Sequence, residues 1–503
     1  MKLSPSQSKL GFKPLKHSSA VFFRYPFSKN LPMNKKSILP LLLASIFATV
    51  AAQAAPTLIA IGTLGGTSDL SGLAGNLENG LATNILGGMG SGLAWAGGNT
   101  FIATPDRGPN ATAYNAAVDD TTSYIARFQT LTLNLTATAS AGLPYTLTPT
   151  LTGTTLLSSA TPLVYGTGTA LGLPNGAPAQ NTALSNYFTG RSDNFDATKT
   201  STNPNNARLD PEGVRVSRDG KSVFISDEYG PYVYQFDRAT GQRIKAFAMP
   251  ANLAIANLSA KGDAEIAGNT TGRVTNKGME GLAITPDGTM LVGIMQAPLE
   301  QDKNKVVRIV TIDIATGLVR EYAYQLTTGS GVSEIVAINN HQFLVDERDG
   351  KGLGNGTLAG VKQLFRIDLN GATEVSSLTG SPADQLALKA AAVPKTLVLD
   401  IVNLLTANGI TSDQIPAKIE GLAFGNDLVI GGITQHTLFI ANDNDFVPGL
   451  AGGNKFYAFA LSDADLGATF QQQQIPEPQS LALMLLGLGA IGLVKRKKSN
   501  PAL

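Results

Sequence analysis

Cysteine is absent from this chain of 503 residues, so no disulfide contributes to the fold and no thiolate can serve as nucleophile or metal ligand. Charge is scarce: charged residues make up 15% and the formal net charge is +1, which excludes the basic surface of a nucleic-acid binder. Histidine is nearly absent as well. Beyond the N-terminal leader only His341 and His436 remain, and a zinc site of nitrogen or sulfur ligands has little to draw on. No G-x-S-x-G elbow occurs, and Gly90-Ser91-Gly92 does not have that elbow's strand-to-helix setting, which argues against a serine esterase.

Long apolar runs are missing too, apart from two short ones at the ends. Lys35 and Lys36, an apolar stretch at 38–50 and Ala52-Gln53-Ala54 have the three parts of a secretory signal, so residues 1–54 are expected to be leader and signal peptide. At the other end Pro476-Glu477-Pro478 precedes fourteen apolar or glycine residues at 481–494, and Lys495-Arg496-Lys497-Lys498 follow. That run is marginal for a full bilayer crossing, and the basic cluster would hold the terminus on the cytoplasmic side. The tripartite tail resembles the PEP-CTERM sorting signal. The resemblance implies an exosortase as processing partner, export through the inner membrane, a transient membrane anchor at 466–503, and a destination in the envelope, on the outer surface or outside the cell.

What the chain has in quantity is glycine, 54 residues of it, with many turn dipeptides and few long helical patterns. Residues 55–465 therefore read as all-β. The stretch 210–237, DPEGVRVSRDGKSVFISDEYGPYVYQFD, is strand, Asp-Gly hairpin, buried strand, acidic turn, strand. Its inner half recurs from Ser91, Glu280, Glu334 and Glu420, and three copies reach the turn residue after the same offset of 15 (Asp106, Asp227, Met295). The expectation is a single β-propeller of six or seven blades with long loop insertions, closed by pairing residues 58–62 with 458–461. A helical pattern at 382–413 would cap its rim.

Equivalent blades would set Glu212, Glu280, Glu334 and Glu420 as a ring around the channel. Asp106, Asp227, Glu228, Asp346, Glu347, Asn442 and Asp443 would lie at the ends of the hairpins. The oxygen-rich set suits Ca²⁺ or Mg²⁺. Asp106, Asp227, Asp346 and Asp443 are the candidate metal ligands, Glu228 and Glu347 the candidate catalytic carboxylates, and Arg107, Arg348 and Lys277 the candidate phosphate clamp. The glutamate ring has an equally direct reading as structural salt bridges.

The phrases Asp210-Pro211-Glu212-Gly213, Ser226-Asp227-Glu228-Tyr229-Gly230-Pro231, Met279-Glu280-Gly281-Leu282, Asp346-Glu347-Arg348-Asp349 and Lys418-Ile419-Glu420-Gly421-Leu422 resemble the phytase-like propeller domain labelled "esterase-like activity of phytase". The resemblance implies hydrolysis of phosphate or other esters, with calcium held by acidic side chains and substrate phosphate by basic ones. Two functions are then expected to compete. One is a secreted or envelope-anchored metal-dependent phosphoesterase; the other is a non-catalytic matrix or biofilm propeller that binds glycans or proteins.

Overall fold

In the innermost strands burial does not alternate: all six residues of Pro211–Val216, of Met279–Ile284 and of Ile419–Phe424 are buried. Such strands need cover on both faces, and neighbouring sheets supply it. In the computed structural model, which describes residues 55–476 apart from 110–114, 120 and 139–141, five four-stranded antiparallel blades surround one axis. Counted from the innermost strand outwards, blade 1 is Gly92–Trp95, Thr100–Thr104, Arg127–Ala137 and Tyr145–Leu156. Blade 2 is Pro211–Val216, Ser222–Asp227, Tyr232–Asp237 and Arg243–Phe247. Blade 3 is Met279–Ile284, Met290–Met295, Val306–Asp313 and Val319–Gln325. Blade 4 is Gly331–Ala337, Gln342–Arg348, Lys362–Asp368 and Lys395–Asp400. Blade 5 is Ile419–Phe424, Ile433–Asn442, Asn454–Leu461 and, from the other end of the chain, Thr57–Leu64.

The ring is closed. Innermost strands touch in the order 1-2-3-4-5, and that of blade 5 returns to that of blade 1. Leu58 pairs with Phe459 and Ala60 with Ala458, so the first strand fastens the last blade as the sequence pattern predicted. The blade number is five, not six or seven. Residues 157–210 form no further blade and belong to one of the long loop insertions. They form one two-stranded pair, Ser158–Ser159 with Asn186–Tyr187, while Leu157, Leu163 and Phe188 pack into the core between blades 1 and 2. Helices Pro382–Ala390 and Ile401–Ala407 sit where a rim cap was expected. The leader and signal expected at 1–54, and the tail from 477 onward, lie outside the described residues.

Each pair of neighbouring blades shares one apolar core. Blade 2, for example, turns Val214, Val223 and Ile225 toward blade 1 and Phe224 and Val233 toward blade 3. The twofold strand period thus sorts side chains between two interfaces rather than between core and water. The second residue of the Glu-Gly pairs permits this packing at close range. A Cβ on Gly213 would stand 2.5 Å from the Leu282 nitrogen, and one on Gly281 2.8 Å from the Ile335 nitrogen.

An insertion at 250–278 is held to blade 2 by Glu265, which accepts from Arg208 at 3.3 Å, Arg273 and Thr275 at 2.8 Å, and the Ser259 amide at 3.0 Å. Burial pushes its carboxyl up, but the two guanidinium groups outweigh burial and hold it at about 2. A depressed acid stabilises above its unfolded value and loses that contribution as pH falls toward the folded one; here the window is about pH 4.5 to 2, worth roughly 3 kcal/mol. Chemical denaturation should therefore show Glu265→Gln strongly destabilised at pH 7, with the gap to the parent protein narrowing at pH 3.

Candidate functional site

The innermost strand of each blade starts at one end of the channel, the upper mouth, and ends at the lower face. A β-bulge interrupts that strand near its start in blades 2 to 5: Pro211 pairs with Asp227 but Val214 with Ile225, Met279 with Met295 but Gly281 with Ile294, Val332 with Glu347 but Glu334 with Asp346, and Ile419 with Asn442 but Leu422 with Ile440. The extra residue in each is re-aimed into the channel. Those residues are Glu212, Glu280, Ser333 and Glu420, with Ser91 at the matching place beside Gly92 of blade 1. The expected ring therefore holds three glutamates, not four. Glu334 is one residue out of step and takes the place that glycine holds in the other blades.

Glu334 has a different function in the fold. Its Oε1 accepts from the Leu282 and Ile335 amides, both at 2.9 Å, and its Oε2 lies 3.1 Å from Arg215. Arg215 also donates to Leu93 and Ile335 carbonyls, each at 2.7 Å. The pair crosses the channel from blade 2 to blades 1, 3 and 4. Burial pushes the Glu334 carboxyl up to about 8 although Arg215 pulls the other way. The channel is plugged.

The same bulge shifts the second acidic set by one residue. The equivalent positions at or just beyond the end of the second strand, facing the mouth, are Asp106, Glu228, Gln296, Arg348 and Asp443. Asp227 is a turn acceptor instead, with Oδ1 taking the Asp210 and Tyr229 amides at 3.1 Å. Glu347, at the equivalent place in blade 4, is saturated by the Thr327, Thr328 and Gly329 amides, Tyr324 and Lys395. Burial raises its carboxyl, yet Lys395 and those amides hold it below the usual range. It lies between the outer strands of blades 3 and 4, away from the mouth. Asp346 is fully buried below the mouth, accepting from Ser333 at 3.2 Å. Lys277 is exposed on its turn and forms no ion pair among the described residues.

Into the mouth the structure brings Asp106, Asp210, Glu212, Glu228, Glu280, Glu420 and Asp443, all buried, with Asp445 partly so. Asp210, Glu212 and Glu228 each offer an oxygen within 4.8 Å of the others, as do Asp106, Asp443 and Asp445. Three cations face them. Arg107 grips Asp210 through its amide at 2.8 Å and its guanidinium at 2.6 Å. Arg348 reaches Glu420 at 2.5 Å and Glu280 at 3.6 Å, and Lys418 bonds both Asp443 and Asp445 at 2.6 Å. These cations, with Asp445, form the lip: their side chains are 11% (Arg107), 12% (Arg348) and 30% (Lys418) exposed, while the carboxylates lie beneath.

Eight carboxylates against three cations leave negative charge without a partner in a buried site. Burial first, and repulsion from Glu280 and Asp210 next, push Glu212 and Glu228 well above the usual carboxylate range. Glu280 is raised to about 7 by burial and Glu420, and Asp106 to about 7 by burial against the pull of Lys418 and Arg107. Among the described residues Glu228 Oε1 and Glu280 Oε2 have no hydrogen-bond partner. Asp210 and Lys418 complete the cluster but were not singled out from sequence as site residues, whereas Asp445 ends the oxygen-rich run Asn442-Asp443-Asn444-Asp445, which by itself is a candidate Ca²⁺ site. Asp210 stood in the Asp-Pro-Glu-Gly phrase that carries the family resemblance, and Lys418 two residues before Glu420, as the available signals.

The family described as "Phytase-like: Esterase-like activity of phytase" matches residues 84–446, all five innermost strands included. The chain belongs to that family. A second match, the PEP-CTERM protein-sorting motif at 474–498, follows the propeller and points to export with C-terminal sorting by an exosortase. The phytase-like propeller is 33% identical over 138 residues to an "Uncharacterized secreted protein" of Arthroderma benhamiae, covering 23% of this chain and 26% of the other, so it spans about a quarter of that relative. Among solved structures it is similar to a luciferin-regenerating enzyme (10% identity, 78% of this chain and 97% of the other, TM-score 0.31). It is similar also to the PQQ-bound aldose sugar dehydrogenase of Streptomyces coelicolor (9% identity, 73% and 76%, TM-score 0.29).

Proposed function

We propose that the upper mouth holds divalent cations, Ca²⁺ first, and that the protein is an exported metal-dependent phosphoesterase. The observation that carries this reading is the imbalance of charge: buried carboxylates exceed cations, and two of their oxygens have no partner among the described residues. The donor set fits the group. It is all oxygen, as Ca²⁺ and Mg²⁺ prefer, and both described histidines lie elsewhere, His341 in the lower turn of blade 4 and His436 beside Asp463. Asp210, Glu212 and Glu228 would hold the ion. Asp106, Asp443 and Asp445 form a second such group, in which Lys418 bonds oxygens of two members, as Arg107 bonds both oxygens of Asp210 in the first.

A cation bound there would neutralise phosphate oxygens and lower the pKa of a water. The chain's own residues do the rest. Arg107 and Arg348 present guanidinium forks at the lip and Lys418 a point charge, so an anionic ester meets positive groups first. Glu228, with one oxygen unpartnered among the described residues, orients the attacking water. Burial beneath the lip strengthens each of these contacts.

The test is phosphate release from p-nitrophenyl phosphate and from phytate, with added Ca²⁺ and with chelator. Release that requires the metal is the expected result. Folded protein that releases no phosphate in either condition would refute the enzyme and leave a glycan- or protein-binding propeller.

A further inference from the structure

The chain does not leave the propeller when blade 5 ends. Helix Asp463–Leu466 is capped by Ser462, and residues 467–476 then cross the lower face as an extended strap. His436 fixes its start, bonding Asp427 at 2.9 Å and Asp463 at 3.0 Å, with its ring 4.4 Å from that of Phe470. The Gln471 amide donates to the Ile338 carbonyl of blade 4 at 2.9 Å, and Gln473 Nε2 to the Val216 carbonyl of blade 2 at 3.0 Å. Ile475, only 7% exposed, ends in the core between blades 1 and 2. The packed chain thus runs beyond residue 465, and the sorting motif at 474–498 begins inside the fold.

That overlap limits where the propeller can go. From Ile475 to Leu481, where the apolar run starts, six residue steps span at most about 20 Å. With the run in a bilayer, the face carrying the strap stays at the lipid surface. The same face carries an uncharged hairpin, Leu428–Ile430 paired with the start of Ile433–Asn442, which extends the lower turn of blade 5. Leu428 and Ile430 rest on the blade 5/blade 1 core, while Val429 and Ile433 are 72% and 55% exposed around the Gly431-Gly432 tip.

We propose that the lower face is a membrane-docking surface, with Val429 and Ile433 against the lipid, and that the acidic mouth therefore opens away from the membrane. This orientation goes beyond the proposed reaction and stands whether or not the mouth hydrolyses an ester. It gives the strap a function: it closes the lower end of the channel and fixes which end faces outward.

The natural absence of cysteine makes the test direct. Single variants Val429→Cys on the lower face, and Leu358→Cys and Leu450→Cys in loops at the upper end, are labelled with an environment-sensitive fluorophore. The full chain is placed by its tail in vesicles of phosphatidylethanolamine and phosphatidylglycerol containing brominated lipid. Quenching several-fold stronger at 429 than at 358 and 450 is expected, in proteins whose thermal midpoints match the parent. Equal quenching at all three, or stronger quenching at the upper loops, overturns the proposal. A twenty-residue Gly-Ser insertion after Pro476 should reduce quenching at 429. If quenching persists there with the insertion, the hairpin itself holds the lipid, and the assignment of the face stands.

Discussion

Replacing Glu212 or Glu228 by glutamine should change stability in opposite directions with and without calcium. Without metal, either substitution removes a carboxylate that burial and its neighbours already disfavour, and an isosteric amide leaves the packing unchanged; the variant should unfold at equal or higher denaturant than the parent. With Ca²⁺ at about a hundred times its dissociation constant, the parent should gain ~2.7 kcal/mol that the variants lack. Metal-dependent phosphate release should fall on the order of 100-fold. Asp443→Asn should do less, because Lys418 partners that carboxylate in the absence of metal. Variants that keep the full calcium-induced rise in midpoint would show that these oxygens hold no ion.

The second large effect is expected at the channel plug. Arg215→Met leaves Glu334 buried with no cation and strips hydrogen bonds from the Leu93 and Ile335 carbonyls, which should cost about 3–5 kcal/mol. Glu334→Gln keeps an acceptor for the Leu282 and Ile335 amides and should cost roughly 1–2 kcal/mol. The double variant Arg215→Met with Glu334→Gln should regain much of the loss, because no uncompensated charge remains. Denaturant midpoints at constant m value check all three. Additive losses would show that the two side chains do not act as a pair.

The plug also explains why one of the four aligned glutamates left the ring. Alignment of the repeats on the residue that starts each copy treats Glu334 as equivalent to Glu212, Glu280 and Glu420, since all four precede an apolar run. The bulge adds a residue to one strand without any change in composition, so register and facing cannot be read from spacing. The same single step moved Asp227 and Glu347 from site to scaffold and brought Arg348 into line with Glu228 and Asp443.

By itself the sequence determined the class of the fold, the repeating unit, the closure by the first strand, the absence of soft metal ligands and the sorting tail, because these follow from local pattern and composition. Five blades, the three-glutamate ring, the Arg215–Glu334 plug and the lip of Arg107, Arg348 and Lys418 were decided only by tertiary structure. Each depends on which face of a strand a residue occupies and on which blade meets it across the axis. Those relations are set by bulges and by packing between segments more than a hundred residues apart, as between Arg215 and Leu93.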